Sequence, residues 1–502
     1  MLYSIIASIL LSALSAGPAA SASIYPRASL SSCLSNSVRK VLTPGENGFS
    51  NASLAFNRRL SYTPAAIAYP TSPQQVAAIV KCGAAQGIPV TARSGGHSYA
   101  AYGLGGEDNH LIVDLSLMKS ISMNTDPQNN VYVVAQTGNR LGELAQYIWD
   151  NGQRALPHGS CPYVGIGGHA AYGGFGPYSR KSGFLLDHTV AAEVVLANGS
   201  IVTASSTSNP DLFFALRGAA PSYGIVTAWT FLTDPAPPSL INYEINFPSY
   251  HTVNASQATL ILNSFTNFAM TNPDPNLSVV IPIGWMDNQH LHMDIEGVFF
   301  GTIDELNAAV APLMQMIASL SPTLHTQAPA NYMYGTRYHT VGNSWNVSSG
   351  DYSDTFFAKS IMLNPQTAKS VDYANWVGWM IENGASGPST WWCNIDLYGG
   401  VTSDVPDFAT AYSNRDDILN FQFYGTSGAN AFPGNGVSFM NNLVSNLQSN
   451  VVQAYPCYID PTLTPNQWEN QYYASNLAKL LAIKSVWDPS NIFRFPQSIP
   501  IA

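Results

Sequence analysis

Arg93-Ser94-Gly95-Gly96-His97-Ser98-Tyr99 and Pro157-His158-Gly159-Ser160-Cys161-Pro162-Tyr163-Val164-Gly165-Ile166-Gly167-Gly168-His169 are the two most informative stretches of this chain. Both are rich in glycine and are therefore expected to form loops. Glycine has no Cβ, so the backbone N–H groups of such loops can approach a diphosphate closely. A single glycine-rich loop more often marks only a tight turn. Here each loop also carries a reactive side chain, the imidazole of His97 and the thiol of Cys161. Together they predict a site where one flat redox cofactor is bonded at two points.

Other nucleotide sites are not supported by the sequence. No G-x-G-x-x-G motif is followed by an acidic ribose ligand, and no G-x-x-x-x-G-K-[ST] motif occurs. A Rossmann-type NAD site and a P-loop are therefore not predicted. No metal site is predicted either.

Length and composition indicate a globular protein with more than one core. The chain has 502 residues, of which 46% are hydrophobic and 10% charged, with a net charge of −10. This length is sufficient for two or three cores. A nucleic-acid-binding protein needs a basic stripe, and no run of lysine or arginine is present, so this class is excluded.

The first 22 residues predict export. An apolar stretch from Ile5 to Leu14 is followed by small residues ending in Ala20-Ser21-Ala22, which is typical of a secretory signal peptide with its cleavage site. The apolar stretch is too short to span a bilayer, so no membrane anchor is expected. Five N-x-S/T sequons, beginning at Asn51, Asn198, Asn254, Asn276 and Asn346, fit a glycosylated secreted protein.

The cysteine count is odd. Five cysteines are present, so at least one has a role other than an intramolecular disulfide. Cys161 is the candidate because of its glycine-rich setting. The alternative is a free buried thiol, which is common in proteins.

Hydrophobic periodicity predicts an α+β protein. Helices are expected over 74–86 and 140–149, from Thr302 toward Ser319 with a bend at Pro312, and from Thr464 to just before Asp488. Strands are expected over 131–136, 191–196, 201–204, 290–298, 391–398 and 420–424, with Asn198-Gly199 closing a hairpin. Pro235 to Pro238 marks a domain boundary.

The same motifs carry a resemblance to a known family. The two loops, together with Asp211-Leu212-Phe213-Phe214-Ala215-Leu216-Arg217-Gly218 and the closing segments 472–477 and 488–493, resemble the berberine bridge enzyme-like branch of the vanillyl-alcohol oxidase flavoproteins. Within that branch, Trp391-Trp392-Cys393-Asn394-Ile395-Asp396, Phe421-Gln422-Phe423-Tyr424 and Tyr458-Ile459-Asp460 are similar to the secreted fungal oligosaccharide oxidases of the glucooligosaccharide type.

This resemblance implies a two-domain flavoprotein with a split FAD-binding domain and an antiparallel-sheet substrate domain. The implied division is a signal peptide over 1–22, FAD-binding parts over 23–236 and 455–502, and a substrate-binding domain over 237–454. FAD would be bonded to His97 through its C8 methyl group and to Cys161 through C6. Further cofactor-binding residues implied are Ser94, Gly95, Gly96, Ser98, Gly165, Gly168, His169, Gly173, Ile225 and Asn476.

The resemblance also assigns the chemistry. Tyr458 would take the proton of a sugar C1 hydroxyl with Asp396 as its partner, because a free phenol has a pKa of about 10. Strand alternation places Trp392, Asn394 and Asp396 on one face and Trp391 on the other. The implied sugar-binding residues are Tyr99, Trp392, Asn394 and Gln422. Family members often carry glutamine at the position of Asn394, so the preferred sugar stays open.

One cysteine pair follows from the resemblance, because Cys33 and Cys82 match the N-terminal disulfide of the branch. The resemblance assigns no role to Cys393 and Cys457. They neighbour Asn394 and Tyr458 in the sequence, and a bridge between them near the site is a separate hypothesis.

The expected protein is a monomeric extracellular oxidase that converts a reducing sugar and oxygen into a lactone and hydrogen peroxide. One alternative is an oxidase of a secondary metabolite, as other members of the branch are. The other is a non-catalytic sugar-binding protein, which would be colourless.

Overall fold

The computed structural model describes residues 29–248, 251–285, 290–348, 351–448 and 453–501. The predicted signal peptide lies outside these residues. Eighteen strands are formed within them: β1 Val41–Leu42, β2 Ala66–Ala68, β3 Val90–Arg93, β4 Leu111–Asp114, β5 Ile121–Thr125, β6 Val131–Gln136, β7 Arg154–Ala155, β8 Thr189–Val195, β9 Ile201–Ser205, β10 Ile225–Pro235, β11 Ile241–Asn246, β12 Leu277–Trp285, β13 His292–Met293, β14 Ile295–Phe299, β15 Thr323–Thr326, β16 Phe356–Leu363, β17 Thr390–Leu397 and β18 Leu419–Thr426.

Fifteen α-helices accompany them in the described ranges: α1 Leu30–Ser37, α2 Phe49–Ala52, α3 Pro73–Gln86, α4 Leu141–Asp150, α5 Ile166–Tyr172, α6 Ser179–Ser182, α7 Pro210–Ala219, α8 Ala255–Ala269, α9 Ile303–Met316, α10 Tyr332–Arg337, α11 Pro365–Ala368, α12 Tyr373–Asn383, α13 Gly436–Leu447, α14 Pro465–Tyr473 and α15 Leu477–Trp487. None of the helices in these ranges is long and apolar enough to cross a bilayer.

The strands form three sheets. The first has the order β1-β2-β4-β3, with β3 and β2 parallel to β4. The second is antiparallel, with the order β5-β6-β10-β8-β9 and β7 beside β10. The third is antiparallel, with the order β15-β11-β14-β12-β17-β18-β16 and β13 beside β12. The mixture of helix and sheet confirms the predicted α+β class.

The third sheet has two different faces. Helices α8, α9, α12 and α13 supply residues such as Phe265, Val310, Trp376 and Leu443 to the large apolar core on one face. The other face carries polar side chains of β17 and β18, such as Asn394 and Gln422, that face the first two sheets. All strands of the third sheet lie between residues 241 and 426, on the C-terminal side of Pro235 to Pro238. The exact domain boundaries remain a prediction.

Arg180 joins the two halves of the molecule. It lies on α6, is 1% exposed, and donates to the carbonyl oxygens of Tyr398, Leu277 and Pro273 at 3.0, 2.6 and 2.8 Å. A guanidinium has five donors in a fixed plane, so one side chain satisfies several backbone carbonyls that would otherwise be buried unpaired.

Local sequence signals explain many element ends. Ser72 caps α3, which ends at Gly87 with φ +69°. Thr302 and Glu305 form the expected capping box at the start of α9, and Pro312 lies inside that helix. The hairpin β8–β9 turns at Asn198-Gly199, where Gly199 has φ +78°.

Two predicted elements are wrong in extent. The strand over 290–298 is broken at Asp294 into β13 and β14, although Leu291, Met293 and Ile295 share the buried face as expected. The single helix after Thr464 is two helices, because Ala474 has φ +42° and the chain turns sharply before α15. Periodicity does not detect such a break, because apolar residues continue on both sides of it.

One cysteine prediction is confirmed and one is wrong. Cys33 and Cys82 form a disulfide between α1 and α3. Cys393 and Cys457 are both free thiols. Alternation along β17 turns Cys393 into the helix-covered core, where it is fully buried, whereas Cys457 lines a cavity on the opposite side of the sheet.

Candidate active site

One cavity of about 650 Å³ brings the predicted site residues together. It lies between the two glycine-rich loops on one side and the polar face of β17 and β18 on the other. The segment 455–459 forms a third wall. His97, Cys161, Asn394, Gln422 and Tyr458 all line it. Residues from five distant parts of the sequence therefore face one space.

The two glycine loops pack directly against each other. A Cβ on Gly95 would clash with the backbone nitrogen of Gly165, and one on Gly165 would clash with that of Gly95. The hydroxyl of Ser94 donates to the Thr137 carbonyl at 2.6 Å and accepts from the Gly167 N–H at 3.2 Å. These glycines are thus needed for the contact between loops. Gly168 differs, because a Cβ there would meet nothing within 4 Å, which leaves its backbone open toward the cavity.

The imidazole of His97 is held on three sides. The ring of Phe56 stacks on it with centroids 4.1 Å apart and planes 25° apart, and Tyr352 approaches edge-on at 6.4 Å. Nε2 lies 2.8 Å from the Asp351 carboxylate. Arg140 binds the same carboxylate oxygen at 3.0 Å.

Cys161 is a partly buried free thiol at the cavity wall. Burial raises its pKa, and the Tyr352 hydroxyl lies 4.0 Å from its sulfur. The preceding loop is fixed by His169, whose Nε2 accepts the Gly159 N–H at 2.9 Å. Burial lowers the pKa of His169 to about 3, so this ring is a neutral acceptor.

Several buried polar groups in the cavity wall lack a protein partner. Within the described ranges these are the hydroxyls of Tyr102 and Thr137 and the indole N–H of Trp229. Buried polar groups in proteins are nearly always hydrogen-bonded. The cavity thus combines these three unpaired groups with the open backbone of Gly168 and the nucleophiles His97 and Cys161. This combination fits a large polar ligand such as FAD. Ile225 also lines this cavity.

The polar face of β17 and β18 confirms the predicted alternation. Trp391, Cys393 and Ile395 are fully buried, whereas Trp392, Asn394 and Asp396 are partly open. Asn394 is directly opposite Gln422, and Trp392 is opposite Tyr424, in the antiparallel register. The rings of Trp392 and Tyr424 stack with centroids 4.8 Å apart. The face therefore offers a flat apolar surface beside two amides.

Tyr458 and Asp396 are electrostatically coupled. Burial, and then the charge of Asp396, raise the pKa of Tyr458 well above its usual value. Burial raises the pKa of Asp396 to about 7, and the amide of Asn420 opposes this rise. Asp396 does not itself line the cavity but lies one step beyond Asn394 on the same strand face.

Tyr455 fixes the segment that carries Tyr458. Its hydroxyl accepts the N–H groups of Gly174 and Phe175 at 3.0 and 2.9 Å. A Cβ on Gly173, which has φ +150°, would lie 2.8 Å from the Tyr455 ring. Gly173 is therefore not in the cavity wall, and its lack of a side chain leaves room for the Tyr455 ring.

Asn476 also lies away from the cavity wall. Its side-chain amide is buried and donates to the carbonyls of Asp407 and Thr410 at 2.7 and 3.1 Å. Ser98 does line the cavity, and its hydroxyl accepts the Tyr102 N–H at 3.1 Å.

Sequence reasoning missed Asp351, Tyr352, Phe56 and Arg140 around the two nucleophiles. Asp351 and Tyr352 occur in a polar segment without periodicity or motif, and only the fold brings them to His97 and Cys161. The odd cysteine and the isolated histidine were the available signals, and neither indicates a partner.

Comparison with known proteins also indicates an FAD-binding protein. A model described as "FAD binding domain" matches residues 64–205, and one described as "Berberine and berberine like" matches 454–500. The chain is 35% identical to the xylooligosaccharide oxidase of Thermothelomyces thermophilus over 496 residues, 96% of each chain. The chain belongs to the berberine-like family of FAD-linked oxidases.

Two further members support this placement. The chitooligosaccharide oxidase of Gibberella zeae is 35% identical over 485 residues, 94% of each chain. A solved glucooligosaccharide oxidase of Acremonium strictum, described as carrying a 6-S-cysteinyl, 8α-N1-histidyl FAD, superposes with a TM-score of 0.86 at 32% identity, covering 95% of this chain and all of that one. This berberine-like oxidase is thus an FAD-linked oxidoreductase, and its third sheet is part of the family fold.

Proposed function

We propose that this protein oxidises the anomeric C1 hydroxyl of a reducing sugar to a lactone, which water opens to an aldonic acid, while oxygen is reduced to hydrogen peroxide. The observation that carries the proposal is the shared cavity. Tyr458, Asn394 and Gln422 face the same space as His97 and Cys161. The sugar oxidases among its relatives support the substrate class.

FAD would be held by bonds to His97 and Cys161 and by the paired loops of Gly95 and Gly165. Bound there, it supplies the acceptor for a hydride from the sugar C1. The cysteinyl, histidyl FAD of the Acremonium enzyme supports the two attachments. The unpaired hydroxyls of Tyr102 and Thr137 and the indole of Trp229 offer hydrogen bonds to the rest of the cofactor.

Tyr458 and Asp396 would remove the hydroxyl proton as a unit. The raised pKa of Tyr458 keeps its phenol neutral at rest, so Tyr458 alone is not a sufficient base. Asp396 is ionised above its pKa of about 7 and can take up the proton that Tyr458 relays. The net result is one proton moved from the sugar hydroxyl to the Asp396 carboxylate as the hydride leaves.

The sugar ring would bind against flat and polar side chains. Stacked Trp392 and Tyr424 offer an apolar face for C–H groups, and Asn394 offers an amide for hydroxyls. The Gln422 amide donates to the Tyr99 hydroxyl at 2.8 Å, which orients both groups at the cavity wall.

The protein would act as a secreted glycoprotein monomer. The apolar N-terminal segment, the Cys33–Cys82 disulfide and the five sequons support export. Four of the five sequon asparagines are exposed, Asn276 being partly buried.

The test is a panel of mono- and oligosaccharides, including xylo-, chito- and gluco-oligosaccharides, with peroxide detection. We expect peroxide and aldonic acid in equal amounts with at least one series. Tyr458→Phe is the matched control, because it should keep the yellow colour without turnover. A colourless protein that binds sugar would favour the non-catalytic alternative, and a yellow protein inert toward every sugar would favour a secondary-metabolite oxidase.

A further inference from the structure

The carboxylate of Asp351 contacts Nε2 of the His97 imidazole, and the protonation of this atom decides which ring nitrogen is the nucleophile. A carboxylate only accepts hydrogen bonds, so the 2.8 Å contact places a proton on Nε2 of His97. In a neutral imidazole the other nitrogen then carries the lone pair. Asp351 therefore leaves Nδ1 as the nucleophilic atom.

The position of Asp351 is fixed from both sides. Arg140 donates to the same carboxylate oxygen at 3.0 Å, and the Arg140 backbone pairs with Gly165 of the second glycine loop. Three residues later, Asp354 accepts from the Tyr424 and Thr426 hydroxyls at 2.8 and 2.6 Å. The chain around Asp351 is thus tied to the loop pair and to β18.

We propose that Asp351 is a positioning residue for the attachment of FAD to His97, a role that rests on the proposed function. It selects Nδ1 as the attacking atom and stabilises the positive charge that develops on the ring. As Nδ1 forms its bond to the carbon of the C8 methyl group, the imidazole becomes cationic beside the carboxylate. A charge-assisted hydrogen bond is strongest at that point.

The reaction balances with oxygen as the oxidant. A bond forms between Nδ1 and the methyl carbon. The methyl group loses one hydrogen and the imidazole gives up its Nε2 proton. Oxygen takes these two hydrogens, with two electrons, as hydrogen peroxide. Oxygen is also the acceptor in the proposed sugar oxidation, so no further reagent is needed.

The test isolates the histidyl bond by removing the other one. In Cys161→Ala, pigment that stays with acid-precipitated protein is held through His97 alone. We expect Cys161→Ala to retain its pigment and Cys161→Ala/Asp351→Asn to release most of it. The amide that Asp351→Asn introduces carries no charge to stabilise the cationic ring, so attachment should slow by about tenfold to a hundredfold. Cys161→Ala/Asp404→Asn is the matched control, because it removes an exposed carboxylate that does not line the cavity, and it should retain its pigment.

A second measurement distinguishes a missing histidyl bond from a failure of the double variant to bind FAD at all. In Asp351→Asn alone, the cysteinyl bond keeps FAD in place, and the mass of the peptide containing His97 should be mostly unmodified. Equal modification in this variant and in the wild type, or equal pigment retention in Cys161→Ala with and without Asp351→Asn, would overturn the role of Asp351. A wild-type protein without any bonded FAD would instead overturn the proposed function.

Discussion

The phenol rings of Tyr99 and Tyr458 lie nearly parallel, with centroids 5.8 Å apart and planes 10° apart. Tyr99 follows the histidine loop and Tyr458 belongs to the C-terminal segment, so this stack joins two walls of the cavity. Gln422 of the third sheet donates to the Tyr99 hydroxyl. The three parts of the chain that would hold cofactor, base and sugar therefore meet at one pair of rings.

Tyr458→Phe should abolish turnover and keep the colour. The phenyl ring preserves the stack on Tyr99, but no hydroxyl remains to relay the sugar proton. We expect kcat to fall by about 10²- to 10⁴-fold, the usual contribution of a general base. Peroxide release and the visible spectrum measure the two effects. Tyr99→Phe is the control, since it keeps both rings and removes only the acceptor of Gln422. Near-normal turnover in Tyr458→Phe would exclude the tyrosine as base.

The activity should rise with pH through about 7, the pKa to which burial raises Asp396. Below this pH the carboxyl group is already protonated and cannot take the proton from Tyr458. Above it the group is ionised and the rate levels off. A kcat/KM profile with an oligosaccharide substrate measures this step. Asp396→Asn should lose the step together with most of the activity, and an unchanged profile in that variant would contradict the assignment.

The same carboxyl group should destabilise the folded protein at high pH. Its folded pKa of about 7 lies above the value of an unfolded aspartate, so the folded state binds the proton more tightly. The free energy of unfolding therefore falls as pH rises from about 4 to about 7 and is then level. The asparagine side chain in Asp396→Asn does not ionise, so the variant does not lose this stability as the pH rises. We expect the variant to be more stable than the wild type above pH 7, by up to about 4 kcal/mol. Thermal unfolding at acidic and alkaline pH would show whether the difference grows with pH.

Gln422→Ala should weaken sugar binding more than the chemical step. The amide lies opposite Asn394 and orients the Tyr99 hydroxyl, and within the described residues no hydrogen bond joins it to Tyr458 or Asp396. Loss of its hydrogen bonds should raise KM by about tenfold. Initial rates over a range of substrate concentrations separate KM from kcat. Gln366→Ala, an exposed amide far from the cavity, is the control. A fall in kcat alone would place Gln422 in the chemistry.

Arg180→Lys should destabilise the protein strongly although the charge is kept. One ammonium group cannot reach the separate carbonyls of Tyr398, Leu277 and Pro273 that the planar guanidinium joins. Buried carbonyls left without a donor should lower the free energy of unfolding by about 3 kcal/mol or more. Thermal unfolding measures the effect, with the exposed Arg39→Lys as reference. Equal unfolding temperatures would show that Arg180 does not hold the halves together.

Local patterns predicted much of the fold correctly. The caps of α3 and α9, the β8–β9 hairpin and the alternation of β17 each depend on neighbouring residues and elementary sterics. The break at Ala474 was missed, because a single backbone angle there overrides an apolar pattern that continues through it. The interruption at Asp294 was missed as well, because the alternation of buried residues continues across it.

The sequence by itself determined the reactive groups: an imidazole and a thiol in glycine loops, an odd number of cysteines, and one polar strand face. It could not determine which of them share a space. The tertiary structure decided that Asp351 binds His97, that Cys393 points away from Cys457, and that Asn476 lies outside the cavity. The physical reason is the distance along the chain over which each kind of interaction acts. Caps, turns and alternation are decided by atoms a few residues apart, whereas hydrogen bonds and shared charges in this cavity join residues hundreds of positions apart, which only the packing of three sheets brings within reach.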